Sequence, residues 1–155
     1  MKHEFRRRYQ WCHGKMRGFG YRMTMGREAI LDILSRADEH LSVEEIYMRV
    51  HRTYPAIGLT SVYRTLDTLV SLGLVYKFDF GDGRARYELA DEIKGKAHHH
   101  HLVCTKCGKI IEYTDFVDEE LALLRKTEAT LSRKHKFKIK NHLIQFYGLC
   151  QNCET

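Results

Sequence analysis

Three stretches of helical hydrophobic spacing come first along this chain, and shorter strand-like runs follow. Ile30, Leu31, Ile33 and Leu34 recur three and four residues apart, which predicts a helix over 27–37 with Thr24 as a cap before it. Ser42 with Glu45 three residues later reads as a capping box, and Val43, Ile46, Tyr47 and Val50 give the helix behind it one apolar face. Tyr54-Pro55 breaks that pattern. A third helix is expected from Thr60 to Leu72, with Val62, Leu66, Leu69 and Val70 inward and Gly73 as its stop. Two strands, Leu74–Phe80 and Arg84–Leu89, are joined by Gly81-Asp82-Gly83, a hairpin signal. Three short helices and a hairpin make a winged helix-turn-helix, whose third helix is the one presented to a DNA major groove.

The pattern then changes. Residues 90–97 are polar and contain Gly95, so a linker is placed there. Strands are expected at His101–Cys104 and Lys109–Tyr113, then a helix over 116–134 with Val117, Leu121, Leu124 and Leu131 on one side. Phe137–Tyr147 reads as strand-like. The fold class is therefore α+β: an N-terminal winged-helix domain (20–89), a hinge (90–97) and a small C-terminal α/β dimerisation domain (98–155). Residues 1–19 form a basic N-terminal extension, either an extra helix or disordered. The core of the second half is thin, so metal or a second copy should complete it.

Charge sharpens this division. The formal net charge is +6, yet residues 1–27 hold eight Lys/Arg against Glu4 alone, so that segment carries +7 and the remainder −1. A local basic excess is what a phosphate backbone recruits, although a solvated basic tail has the same composition. No apolar run approaches the ~18–20 residues of a membrane span, and no apolar stretch follows the basic start as a secretory signal requires. A cytoplasmic protein is expected, with its cysteines serving as metal ligands rather than disulfides.

Cys104-Thr-Lys-Cys107 and Cys150-Gln-Asn-Cys153 are the strongest chemical signal. Each pair puts two thiolates on one turn, and two turns supply a closed tetrahedral zinc site. The 42 residues between the pairs make it a clasp on distant strands, which favours a structural role over a catalytic one. Cys12 lies apart and reads as an unpaired thiol. The run His98-His99-His100-His101 alternates faces if extended, so His99 and His101 point one way and His98 and His100 the other. That gives two metal half-sites on opposite sides of one strand.

Three segments carry a family resemblance. They are Leu59-Thr60-Ser61-Val62-Tyr63-Arg64-Thr65-Leu66, the run from His98 to Glu112, and Tyr147-Gly148-Leu149-Cys150-Gln151-Asn152-Cys153. Over residues 20–153 the chain resembles the ferric uptake regulator family of metal-dependent bacterial transcription factors. The resemblance implies a structural Zn2+ on Cys104, Cys107, Cys150 and Cys153, and a regulatory metal on His40, Glu88, His99, His101 and Glu112. It implies an additional site on His98, His100, Glu119 and His142. Tyr63 and Arg64 would meet bases or thymine methyls, Thr60, Ser61 and Thr65 phosphates, and Arg22 the minor-groove side.

Within that resemblance, glutamate at both 88 and 112, with no cysteine near Glu88, is similar to the iron-responsive branch. Fe2+ is the expected regulatory metal, with Mn2+ or Zn2+ able to suit the same donors. The implied partners are a second copy of the chain and double-stranded DNA with a palindromic, AT-rich operator; no membrane and no small-molecule substrate are expected. Two features depart from the family pattern: Thr24-Met25-Gly26-Arg27 replaces Thr-Pro-Gln-Arg, and the segment from Glu88 to His99 is long. Zinc-, manganese- or peroxide-sensing members are the alternatives within the family. A metal-storage module would not need Tyr63 and Arg64, and a metalloenzyme would need an open metal position beside a substrate cleft.

Overall fold

The computed structural model describes residues 2–94, 98–139 and 142–154, which divide into two compact units, 1–96 and 97–155. In the first unit the elements run α1 (Lys2–Gly18), α2 (Met25–Arg36), β1 (Leu41–Ser42), α3 (Val43–Thr53), α4 (Leu59–Ser71), β2 (Val75–Asp79), β3 (Ala85–Leu89) and α5 (Asp91–Lys94).

The local signals act as their chemistry dictates. Thr24 caps α2, its hydroxyl accepting from the Arg27 amide at 3.4 Å. Ser42 and Glu45 close a full capping box on α3: the Glu45 amide donates to the Ser42 hydroxyl at 3.3 Å, and the Ser42 amide donates to the Glu45 carboxylate at 2.7 Å. Gly73, at φ 63°, ends α4 in the left-handed conformation that a side chain resists. There the Leu74 amide reaches back to the Leu69 carbonyl and the Gly73 amide to that of Val70, the double closure of a Schellman motif.

Ile30, Leu34, Ile46, Val50, Val62, Leu66 and Leu69 meet in one core, closed below by Leu74, Val75, Tyr87 and Leu89 of the wing. The wing is a three-stranded antiparallel sheet in the order β1-β3-β2, with Leu41 opposite Tyr87 and Val75 opposite Leu89. β1 is two residues long, too short for periodicity to announce.

One segment left open is decided by the structure, and one differs from expectation. The N-terminal extension is helical, and Cys12 and Met16, one turn apart, are buried in the core of the unit. Lys15 ties the same helix to α4 by donating to the Gly73 carbonyl at 3.3 Å. The stretch expected as linker begins with α5, whose Ile93 is 3% exposed and anchored in that core; residues 95–97 of the stretch lie outside the described residues.

In the second unit, β4 (His100–Cys104) is central, flanked by antiparallel β5 (Ile110–Tyr113) and parallel β6 (Gln145–Gly148). The helix α6 (Val117–His135) lies between β5 and β6 in the chain and returns it for the parallel pairing. The strand expected over Phe137–Tyr147 is confined at its C-terminal end to β6, and residues 140–141 lie outside the described residues. Among the described residues of this unit, buried apolar side chains are Val103, Cys104 and Val117, whereas Leu102, Ile111 and Phe146 are 40–53% exposed. Those three are register partners across the sheet, so they form one apolar stripe.

Candidate metal centres and nucleic-acid interface

The thiolate centre follows from the sheet. Because β4 and β6 are parallel, with Cys104 opposite Gly148, their C-terminal ends emerge side by side. Each runs directly into a C-x-x-C turn: the Gly108 amide donates to the Cys104 carbonyl, and the Cys153 amide to that of Cys150. The four Sγ atoms all lie within 4.8 Å of one another, and Cys107 and Cys150 are 3.7 Å apart. A tetrahedron with zinc–sulfur bonds of about 2.3 Å has edges of about 3.8 Å, so this set fits zinc.

The backbone prepares the ligands. Amides of Cys107 and Cys150 directed at Cys104 bring its thiol down to about 6, that of Cys150 at 3.4 Å. Cys153 is pushed up to about 12 because its thiol is held by Cys107 and Cys150. None of the four is in a disulfide, and neither is Cys12, whose burial raises it to about 11.

The histidine run places its side chains on both faces of β4, as alternation requires. His99 and His101 share one face, with ring centroids 5.1 Å apart, and Glu112 stands directly opposite His101 on β5. His101 is 1% exposed and His99 8%. These are two imidazoles and a carboxylate on one side of a strand pair.

His98 and His100 occupy the other face, with centroids 4.9 Å apart. His142 joins them, its Nε2 3.3 Å from that of His98, and its Nδ1 meets Glu128 at 2.9 Å. The carboxylate that reaches His100 is Glu120, at 3.0 Å, and it also accepts from the Tyr113 hydroxyl at 3.3 Å. Glu119, the residue expected here, is exposed on α6. One residue along a helix is a turn of about 100°, enough to exchange the sheet-facing side for the solvent side. Burial holds His100 below the ordinary imidazole value, against the pull of Glu120, and this favours the neutral form that binds metal.

In the first unit, His40 and Glu88 form a buried pair. His40 Nε2 lies 3.1 Å from Glu88 Oε2, with side chains 6% and 2% exposed. Edge-on contacts with Phe78 and Phe80, at 5.0 and 5.4 Å, fix the imidazole plane. The other oxygen of Glu88, Oε1, accepts from Lys94 Nζ at 2.9 Å. Sequence reasoning passed over Lys94, which lay in a stretch assigned as linker.

α4 buries Val62, Leu66 and Leu69 and leaves Thr60, Ser61, Tyr63 and Arg64 on its outer face, with Thr65 half-buried. The Tyr63 hydroxyl donates to Glu44 of α3 at 3.4 Å. Arg22 is exposed in the segment between α1 and α2. The expected DNA-contacting side chains of α4 thus share the surface opposite its packed stripe, with Arg64 exposed.

Comparisons with known proteins point to one family with this fold. The model of a family described as the ferric uptake regulator family matches residues 18–147. The ferric uptake regulation protein of Bacillus subtilis (strain 168) is 45% identical over 135 residues, covering 86% of this chain and 85% of that protein. The solved structure of the Helicobacter pylori ferric uptake regulator, described as having three functional metal binding sites, is 27% identical and superposes with a TM-score of 0.72 over 97% of this chain and 94% of that one. A ferric uptake regulator from Pseudomonas aeruginosa, solved with manganese, is 29% identical with a TM-score of 0.66, covering 89% and 96%.

Proposed function

The chain belongs to the ferric uptake regulator family of metal-dependent transcriptional regulators, and on that premise we propose that it is an Fe(II)-responsive repressor of iron-uptake genes. Regulators of this family bind DNA and are dimers. The observation that carries the reading is the separation of donor types. Four thiolates close on one another at the end of β4 and β6, imidazoles and carboxylates gather apart from them within each unit, and the first unit carries a helix with exposed Tyr63 and Arg64.

In this reading Cys104, Cys107, Cys150 and Cys153 hold a structural zinc. His40 and Glu88 of the first unit, with His99, His101 and Glu112 of the second, are the ligands of one regulatory metal. Three imidazoles and two carboxylates suit Fe(II), and Mn(II) and Zn(II) after it. A metal with ligands in both units favours the arrangement that satisfies them all. Shifting such an equilibrium from 1:99 to 99:1 takes about 10⁴-fold preferential binding, or about 5.5 kcal/mol, well within the reach of a divalent ion. His98, His100, Glu120 and His142 are the donors of an additional site, Glu120 standing in for Glu119. The three sites described for the Helicobacter pylori protein support this count.

The operator is a palindrome, because two-fold related recognition helices match two half-sites; the family resemblance adds that it is AT-rich. Arg64 and Tyr63 read bases, Thr60, Ser61 and Thr65 engage phosphates, and Arg22 approaches the minor groove. The test is binding to such DNA by chelated and by Fe(II)- or Mn(II)-loaded protein, with Arg64→Ala as a control. Loaded protein should bind at least about tenfold tighter, since allosteric couplings run to about 5–150-fold. Arg64→Ala should lose about 1–3 kcal/mol per half-site with metal content unchanged. Equal affinity of the chelated and loaded forms would sink the switch.

A further inference from the structure

Lys94 has no part in the ligand set, yet among the described residues of the first unit it is one of the few charged side chains that are buried, 8% exposed as a residue. Its position follows from α5. Ile93 packs into the core, and the Ile93 and Lys94 amides donate to the Ala90 carbonyl at 2.8 and 2.9 Å, turning the chain back over the end of β3. The ammonium then meets Glu88, six residues upstream, at 2.9 Å. A buried carboxylate and a buried ammonium persist together because each offsets the desolvation of the other. The two oxygens of Glu88 are thereby divided, Oε1 toward Lys94 and Oε2 toward His40.

We propose that Lys94 sets the metal threshold of the regulatory site, holding Oε1 of Glu88 so that Oε2 is the donor beside His40 and opposing any dication with a fixed positive charge. The inference rests on the assignment of His40 and Glu88 as regulatory ligands. Two effects of Lys94 act in opposite directions. Orienting a ligand by a hydrogen bond strengthens metal binding, typically by about 10–100-fold. A positive charge across the same carboxylate weakens it, and the Coulomb term is little screened where both side chains are almost fully buried. The charge prevails, for two reasons. The metal carries two charges against one. Removing Lys94 also takes a neutralising cation from buried Glu88, a charge that the metal then supplies, which adds to the gain on binding. Lys94 thus keeps the site weak enough to release its ion when the free concentration falls, as a sensor must.

The experiment uses the full-length, zinc-loaded dimer and Mn(II) as the probe. Mn(II) affinity is measured by calorimetric titration and the metal-induced rise in melting temperature by scanning calorimetry, for wild type, Lys94→Met, Lys94→Gln, Lys94→Arg and Glu88→Gln. Lys94→Met, or Lys94→Gln where the first folds poorly, should bind Mn(II) at least about tenfold tighter, because the repulsion of a buried cation a few ångström from the ion outweighs the lost orientation of Glu88. The same variant should melt lower without Mn(II) and show a larger rise with it. Lys94→Arg, which keeps the charge, should stay within about threefold of wild type. If Glu88→Gln loses Mn(II) binding but neutral variants at 94 bind as wild type or more weakly, the role of Lys94 is overturned and the regulatory site stands. If Glu88→Gln binds Mn(II) as wild type does, the regulatory assignment falls and this inference with it.

Discussion

Glu119 and Glu120 differ by one step along α6, and that step decides which of them has chemistry available to it. Glu120 accepts from Tyr113 and meets His100, whereas Glu119 is exposed. Substituting Glu120 by Gln should therefore lower the Mn(II) or Zn(II) content of the additional site, and Glu119→Gln should leave it unchanged. Metal analysis of the two variants after equilibration at fixed free metal checks this, and equal loss in both would overturn the assignment to Glu120. The histidines were more legible than the carboxylates. A strand alternates its side chains strictly, so His99 and His101 part from His98 and His100 on sequence alone. A helix face depends on where the helix starts and how it docks, and neither was fixed to one residue by the pattern over 116–134.

Elements of the first unit were legible where capping and stop signals are chemical rather than statistical. The capping box at Ser42 is the clearest. Hydrogen bonds from Ser42, first from its amide and then from its hydroxyl, hold the Glu45 carboxyl below its ordinary value. A carboxyl depressed in the folded state adds stability above the ordinary glutamate value of about 4.3, and that contribution fades as pH falls through the depressed value. Ser42→Ala should thus cost about 1 kcal/mol at neutral pH, and the difference from wild type should shrink on acidification below about pH 4. Urea unfolding followed across pH measures both; a difference that grows on acidification contradicts the role given to Glu45. The elements that sequence missed are β1 and α5, of two and four residues, about one period each and so too short for a hydrophobic pattern to recur. α1 was left open between helix and disorder because its basic composition concealed Cys12 and Met16, whose burial depends on the core they enter.

At the scale of the molecule the two units are stabilised differently. The cluster that packs Ile30, Leu66 and Leu69 together lies wholly in the first unit, whereas the second buries few apolar side chains among its described residues and exposes the stripe of Leu102, Ile111 and Phe146. Zinc and a second copy are the available sources of stability there. Stripping zinc with a chelator under reducing conditions should unfold residues 98–154 and dissociate the dimer while the helices of residues 25–71 keep their protection. Hydrogen exchange and light scattering report these separately, and a chelated protein that stays dimeric with β4 protected would show that zinc is dispensable to the unit. No helix among the described residues is long and apolar enough to cross a membrane.

The sequence by itself determined the donor types, the two C-x-x-C turns, the alternation of the histidine run and the amphipathic third helix, because each is set by covalent spacing against a fixed backbone period. Only the tertiary structure decided which donors meet. The parallel pairing of β4 with β6 brings two thiolate pairs with 42 residues between them to within 4.8 Å, and the docking of α6 sets Glu120, not Glu119, against His100. The fold-back of α5 sets Lys94 on Glu88. Those pairings depend on register, helix phase and the direction in which the chain returns, quantities that packing fixes and local pattern leaves free.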